Sequence, residues 1–443
     1  MPKAIFQFPR GFLWGSATAS HQVEGGNTNN NWAQWEETPG KIVDGQRSGL
    51  ACDWWGGRWR EDLERAQATG QNAHRLSLEW SRIQPEPDRW DDESLSKYVE
   101  IVRWMTHNNM TPMVTLHHFS EPLWLVERGG WESEETPALF ARFVRHVVSA
   151  LKDYVTLWVT INEPNVYVFC GWVEGVFPPG KQDIKLAATV IKNLLIAHAA
   201  AYQVIHEIQP EARVGVATSY RSFIPAHAAS PFDRIMANIL NQIFNKAFND
   251  CLVDGRLNLV IKKIKLPEAA GTQDFIGLNY YTRDLVSFKP LKPGSFFYQA
   301  AFPKEASVSE NKFIANVPAG IWDGLKWAHS YNLPIVITEN GVEDSQDTLR
   351  PRYLVEHLHQ VWRAANYNWQ VKGYFHWSLV DNFEWERGWT QRFGLWGLDV
   401  ATQQRQRRLS VDVYERICRD NGISSEMVAE MVPESYDKLF PAE

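Results

Sequence analysis

The sequence predicts an α/β fold, a single (β/α)8 TIM barrel spanning residues 1–443 with long loops at the C-terminal face of the strands. Eight short runs rich in β-branched, aromatic and aliphatic residues alternate with longer amphipathic segments, the pattern of parallel strands joined by helices. Most of these runs end in polar or aromatic side chains, and a closed parallel barrel gathers its strand ends at one mouth. No Ser/Gly linker, repeat or low-complexity stretch marks a second domain.

In order, the strand-like runs are Phe12 to Ala17, Ala73 to Leu78, Met113 to His118, Leu157 to Ile161, Val214 to Thr218, Phe275 to Asn279, Ile335 to Thr338 and Gly373 to Trp377. Helix-like stretches fall between them at Ser94 to Asn108, Pro137 to Tyr154, Leu186 to Ile208, Ile321 to Tyr331 and Arg350 to Ala365. Six strands deliver chemistry to the mouth: Arg75 and Ser77, His117 and His118, Asn162 and Glu163, Asn279 to Tyr281, Glu339 and Asn340, Trp377 and Ser378. The segment Phe288 to Lys304 reads as a loop over that mouth. This barrel hosts many unrelated chemistries, so function has to be argued from the mouth residues.

Composition narrows the choice. Hydrophobic residues make up 44% and charged residues 22%, ordinary for a chain able to bury a large core. A formal charge of −7 lacks the electrostatic footprint of a nucleic-acid binder, so a neutral or polar small substrate is expected. The 21 tryptophans suit a sugar's C–H face and hydroxyl rim, although core packing also uses indoles. Cys52, Cys170, Cys251 and Cys418 are too scattered for a CxxC metal site or a dense disulfide framework and are expected to be free, buried thiols. The first residues lack a secretory h-region and no uninterrupted apolar stretch reaches membrane-spanning length, so a cytoplasmic location is expected. Without a secretory route, the acceptor pattern Asn109-Met110-Thr111 carries little weight.

Two blocks carry the chemistry. Thr160-Ile161-Asn162-Glu163-Pro164 places a carboxylate directly after an apolar strand, with Pro164 expected to stop the element there. Ile337-Thr338-Glu339-Asn340-Gly341 repeats the arrangement 176 positions later, with Gly341 expected to permit a sharp exit. One glutamate after a strand is commonly a solvated terminus. Two, each beside Asn and each on a barrel strand, form a candidate acid and nucleophile pair. Retention needs the carboxyls about 5–5.5 Å apart and inversion about 6.5–9.5 Å, a separation the residues alone do not supply.

These blocks resemble glycoside hydrolase family 1, the β-glucosidase and β-galactosidase family. The likeness extends from Phe8-Pro9-x-Gly-Phe-Leu-Trp-Gly15 to Arg392-Phe393-Gly394-Leu395. The resemblance implies a retaining β-glycosidase, with Glu163 as acid/base and Glu339 as nucleophile. It implies that Arg75 sits beside the nucleophile and that Asn279 and Tyr281 support it, the phenol bonding Glu339. Tyr280 is then a packing residue. Gln22, in Ser-His-Gln-Val-Glu-Gly, matches the glutamine that bonds the non-reducing sugar. His118 matches a sugar-binding histidine, and Asn162 the residue holding the 2-hydroxyl. In His-Trp-Ser-Leu-Val-Asp-Asn-Phe-Glu-Trp, Trp377 matches a stacking floor, Glu384 an acceptor for the 4- and 6-hydroxyls, and Trp385 an indole donor. Phe393 is expected to close the pocket near the 6-position. A carboxylate at Glu384 would repel a phosphorylated sugar, so unmodified β-glucosides, β-galactosides and β-fucosides are expected.

One departure stands out. Where many relatives read Tyr-His-Trp, this chain reads His117-His118-Phe119, which removes an indole donor near the 3-hydroxyl. Trp172, Phe177, Trp322 and the Phe296-Phe297-Tyr298 cluster are candidates for the leaving-group side. No cofactor or metal is expected: HExxH, paired CxxC and phosphate-loop patterns are missing, and His117 and His118, adjacent on a strand, point to opposite faces. The expected partners are small-molecule β-glycosides or oligosaccharides, with no nucleic acid and no membrane. A sugar-binding pseudoenzyme would lack one glutamate, and both are present. Transfer to an acceptor sugar shares the first half-reaction and is not separable by sequence.

Overall fold

β-branched and aromatic side chains pack well on a pleated surface covered on both faces, so the apolar runs form buried parallel strands. The computed structural model describes residues 3–441 except 293 and 295. The barrel strands are β1 (Leu13–Ala17), β2 (Ala73–Ser77), β3 (Thr111–His117), β4 (Leu157–Asn162), β5 (Arg213–Pro225), β6 (Phe275–Phe288), β7 (Ile335–Asn340) and β8 (Val371–Trp377). Each pairs in parallel with the next, and β8 returns to β1 with Gly373 opposite Leu13 and Trp377 opposite Ala17. The sheet closes, and all eight expected strands lie in it.

Eight helices follow the strands in turn: α1 (Trp59–Ala68), α2 (Asp92–His107), α3 (Thr136–Leu151), α4 (Ile184–Ile208), α5 (Ala247–Asp254), α6 (Pro318–His329), α7 (Arg350–Asn366) and α8 (Leu409–Asp420). Acidic caps set two starts: Asp91 accepts from the Ser94 amide at 2.8 Å, and Asp183 from those of Lys185 and Leu186. The helices α1, α5 and α8 lie outside the helix-like stretches named from the sequence. In α1, Arg60, Glu61, Asp62, Glu64 and Arg65 dilute the apolar stripe, and Asp62 is buried because Trp54 and Arg405 bond it. At 25 residues α4 is long enough to cross a bilayer, yet its apolar face packs on α3 and β4.

β5 and β6 outrun the expected limits of Thr218 and Asn279 and stay paired as far as Pro225 opposite Val286. Tyr298–Ala301 adds an antiparallel strand to Leu285–Phe288, so the expected loop from Phe288 to Lys304 is partly a strand; Pro293 and Ser295 lie outside the described residues. Residues such as Phe223, Ile224, Leu285 and Val286 continue the strand pattern past the polar mouth residues at which the expected strands end. A small apolar cluster of Phe223, Ala237 and Val286 seats the helix Pro231–Leu240 on this wall.

One core cluster runs from Phe8 to Leu439, and Trp14, Trp32, Trp80, Trp131, Trp158 and Trp172 are among its largest fully buried side chains. Many of the indoles are thus packing groups. All four cysteines are free; Cys170 is only half-buried, contrary to expectation, and packs at the edge of the core cluster.

Candidate active site

Glu163 follows β4 in the left-handed region at φ 42° and ψ 57°, with its amide donating to the Ala217 carbonyl at 2.6 Å. The strand ends at Asn162, before Glu163 and Pro164, as expected. Pro164 occupies the first position of the helix Pro164–Val168, where its fixed φ fits and no amide donor is needed. Phe119 and Trp385 also carry positive φ, at 67° and 49°. Such backbone costs on the order of 1–3 kcal/mol per residue and gathers where a mouth must be shaped.

Arg75 is the hub and is about 1% exposed. Its Nη1 donates to Glu339 Oε1 at 2.6 Å and to the Thr338 carbonyl at 3.2 Å, its Nη2 to Asn162 Oδ1 at 2.6 Å, and its Nε to Thr115 Oγ1 at 3.0 Å. The Tyr281 hydroxyl donates to Glu339 Oε2 at 2.6 Å. Asn279 Nδ2 donates to Glu163 Oε1 at 3.1 Å and to Asn162 Oδ1 at 3.2 Å, while its own Oδ1 accepts from Thr338 Oγ1 at 2.6 Å. The two glutamates, from strands far apart in sequence, therefore share one hydrogen-bonded network. Thr115 and Thr338 were not singled out from the sequence, because a threonine inside an apolar strand run carries only a faint signal.

The network treats its two acids differently. Burial, and then the Glu339 charge, push the Glu163 carboxyl up to about 8, with the Asn279 amide the largest opposing contact. Burial also raises Glu339, but the Arg75 cation and the Tyr281 phenol favour its anion. Burial lowers His118 well below its usual range, with Arg75 adding to the effect, so its ring is neutral. Asn162 Nδ2 donates to His118 Nε2 at 2.9 Å, which leaves the ring proton on Nδ1.

The residues expected to meet the sugar adjoin this network through His118. Gln22 Nε2 donates to the Phe383 carbonyl at 2.8 Å, Asn382 Oδ1 at 3.2 Å and Glu384 Oε2 at 3.2 Å, while Gln22 Oε1 is buried with no partner among the described residues. The His118 ring lies 5.8 Å from Trp377 and 5.9 Å from Trp385, both nearly parallel to it. Glu384 is pushed up to about 8 by burial and by the charges of Glu386 and Glu339, against Arg387 and Gln22. Phe393 meets the Tyr281 ring edge-on at 6.0 Å. His117 turns away from this group, toward Trp131, Tyr167 and Glu121. Phe119 stacks on Tyr167 at 5.7 Å and presents no donor.

Three expectations change. Trp322 is no part of the mouth: it stacks on Trp369 at 5.0 Å beneath Arg363 on the outer face of α6, because β8 begins two residues after Trp369, at the far end of the barrel. Trp322→Ala is expected to cost about 1–3 kcal/mol of stability and to leave the relative kcat/KM for different leaving groups unchanged, read by thermal melts and a leaving-group series. Trp172 and Phe177 are buried behind the wall, Trp172 bonded to Glu132 and Phe177 packed on Trp32, so neither offers a free face. Phe296 and Phe297 are exposed at 41% and 44%. Tyr280 packs as expected, donating to the Val317 carbonyl at 2.8 Å.

Gly341 is glycine for a different reason than the one expected. Its φ is unremarkable for any residue, but a Cβ there would lie 2.0 Å from the Trp377 carbonyl oxygen. Gly341→Ala should displace the floor indole, costing about 1–3 kcal/mol in a melt and lowering kcat/KM.

Comparison with known proteins gives the family. The family model described as Glycosyl hydrolase family 1 matches residues 5–423. The curated beta-glucosidase A of Thermotoga maritima is 35% identical over 95% of this chain and 99% of its own length. A beta-galactosidase of Sulfolobus acidocaldarius is 30% identical, covering 96% of this chain and 97% of its own. Among solved structures, a beta-glycosidase from Pyrococcus horikoshii superposes with a TM-score of 0.90 at 35% identity, covering 97% of this chain and 98% of that one. The Thermotoga maritima beta-glucosidase in complex with glucoimidazole gives 0.89 at 33% identity, covering 94% and 100%. With these relatives, a closed barrel carrying paired buried carboxyls is a glycoside hydrolase. More particularly, the chain belongs to glycosyl hydrolase family 1.

Proposed function

We propose that this hydrolase is a retaining β-glycosidase acting on non-reducing terminal, unphosphorylated β-glucosides, β-galactosides and β-fucosides, with Glu163 as acid/base and Glu339 as nucleophile. The observation that carries the reading is the asymmetric network. Glu339 is held by a guanidinium and a phenol that favour its anion, while Glu163, bonded only by neutral groups, retains a proton. In the first step a Glu339 oxygen bonds to the anomeric carbon as the glycosidic C–O bond breaks, and the Glu163 proton passes to the departing oxygen. In the second, water attacks the same carbon, gives its proton to Glu163 and releases Glu339, so two inversions restore the β configuration.

The surrounding groups fit neutral hydroxyls. Gln22 has an idle acceptor, Glu384 can accept from the 4- and 6-hydroxyls, and Trp377 offers a stacking face. A phosphate on the 6-position would have to be buried beside Glu384, where the Glu386 and Glu339 charges already disfavour a further anion, and is expected to bind poorly. The names of the relatives, beta-glucosidase and beta-galactosidase, support the breadth of the sugar range. The test is proton NMR of the first product released from 4-nitrophenyl β-D-glucoside. β-Glucose is expected before mutarotation, and α-glucose appearing first would contradict retention.

A further inference from the structure

Glu343, four residues beyond Glu339, is a fully buried acid with no part in the chemistry above. Its Oε1 accepts from the Ser309 hydroxyl and, at 3.2 Å, from the Phe313 amide, while Oε2 has no partner among the described residues. Ser309 Oγ accepts from the amides of Phe313 at 3.2 Å and Ile314 at 3.0 Å. Together they bond the amides of Phe313 and Ile314 on the inner side of a small hairpin closed by the Val308–Ala315 bridge, whose tip from Glu310 to Lys312 is exposed.

That hairpin leans on the sugar-recognition segment. Asn311 Nδ2 donates to the Thr390 carbonyl at 2.9 Å, and the Arg387 guanidinium lies 4.1 Å over the Phe313 ring. Arg387 closes the turn that begins at Glu384, its amide donating to the Glu384 carbonyl at 2.9 Å and its side chain meeting Glu386 at 3.3 Å. The Arg387 charge opposes the burial that raises Glu384 and so favours the ionised, stronger acceptor.

We propose that Glu343 is a positioning residue for recognition of the sugar's 6-hydroxyl: through Ser309 and Phe313 it holds Arg387 beside Glu384. The inference rests on the reading of Glu384 as acceptor for the 4- and 6-hydroxyls, and it explains why a carboxyl rather than an apolar side chain fills this buried position.

The test compares 4-nitrophenyl β-D-galactoside with the corresponding β-D-fucoside, which lacks only the 6-hydroxyl. Glu343→Ala and Arg387→Met are each expected to shift the kcat/KM ratio toward the fucoside by about threefold or more, mainly through KM, the scale of a weakened hydrogen bond. Glu343→Gln, which keeps an acceptor for Ser309, should restore most of the wild-type ratio. Should Glu343→Ala not fold, Phe313→Leu carries the same test, since it removes the ring under Arg387 and keeps the amide contacts. A ratio unchanged in Glu343→Ala or Phe313→Leu, with both sugars slowed equally, overturns the proposal in favour of a purely structural role. A shift in Glu343→Ala with none in Arg387→Met overturns it as well. A wild-type enzyme that cleaves both sugars equally well removes the Glu384 reading itself, a result distinguishable from failure of the Glu343 link.

Discussion

Glu339→Gln is expected to lower kcat for an aryl β-glucoside by roughly 10⁴- to 10⁶-fold, the range met when a covalent nucleophile is removed. The substitution keeps the shape and an acceptor for Tyr281, but an amide oxygen is a poor attacker of an anomeric carbon. It also leaves the buried Arg75 without its carboxylate, so some loss of stability should accompany the loss of rate. Initial rates over several days, with circular dichroism and a melt to establish folding, separate the two effects. A folded Glu339→Gln protein within tenfold of wild type would end the assignment.

Glu163→Gln is expected to cost about 10²–10⁴-fold, the usual contribution of a positioned general acid. The loss should be greatest for alkyl glycosides, whose departing oxygen needs a proton, and smallest for dinitrophenyl glycosides, whose oxygen leaves without one. The pH dependence follows from the same group. Glu163 works in its protonated form, and its carboxyl is raised to about 8, so wild-type kcat/KM should fall as pH rises through about 8. That alkaline limb should vanish in Glu163→Gln, which has no proton to lose. A pH profile of the variant that keeps the limb would assign it to another group.

All eight strands were legible in the sequence because each is a short apolar run, and the polar or aromatic ends of six of them mark the mouth. Arg75, Asn162, Glu163, Asn279, Tyr281 and Glu339 fall within one network. What was not legible depends on packing between distant segments. Gly341 owes its identity to the Trp377 carbonyl, and α1 buries Asp62 only because Trp54 and Arg405 supply partners. Trp322 misled because an indole looks the same whether it meets a sugar or Trp369. Glu343 was passed over since its role comes from Ser309 and Phe313, more than twenty residues upstream.

The proposed catalysis needs two acids acting from opposite faces of one anomeric carbon, and the anomer formed with added azide tests this most directly. In Glu339→Ala, azide occupying the vacated space should attack the β-glycoside once and yield the α-glycosyl azide. In Glu163→Ala, given an activated aryl glycoside, azide needs no base, attacks the sugar already bonded to Glu339 and should yield the β-glycosyl azide. The same anomer from both variants, or the two exchanged, would contradict the assignment of Glu163 and Glu339.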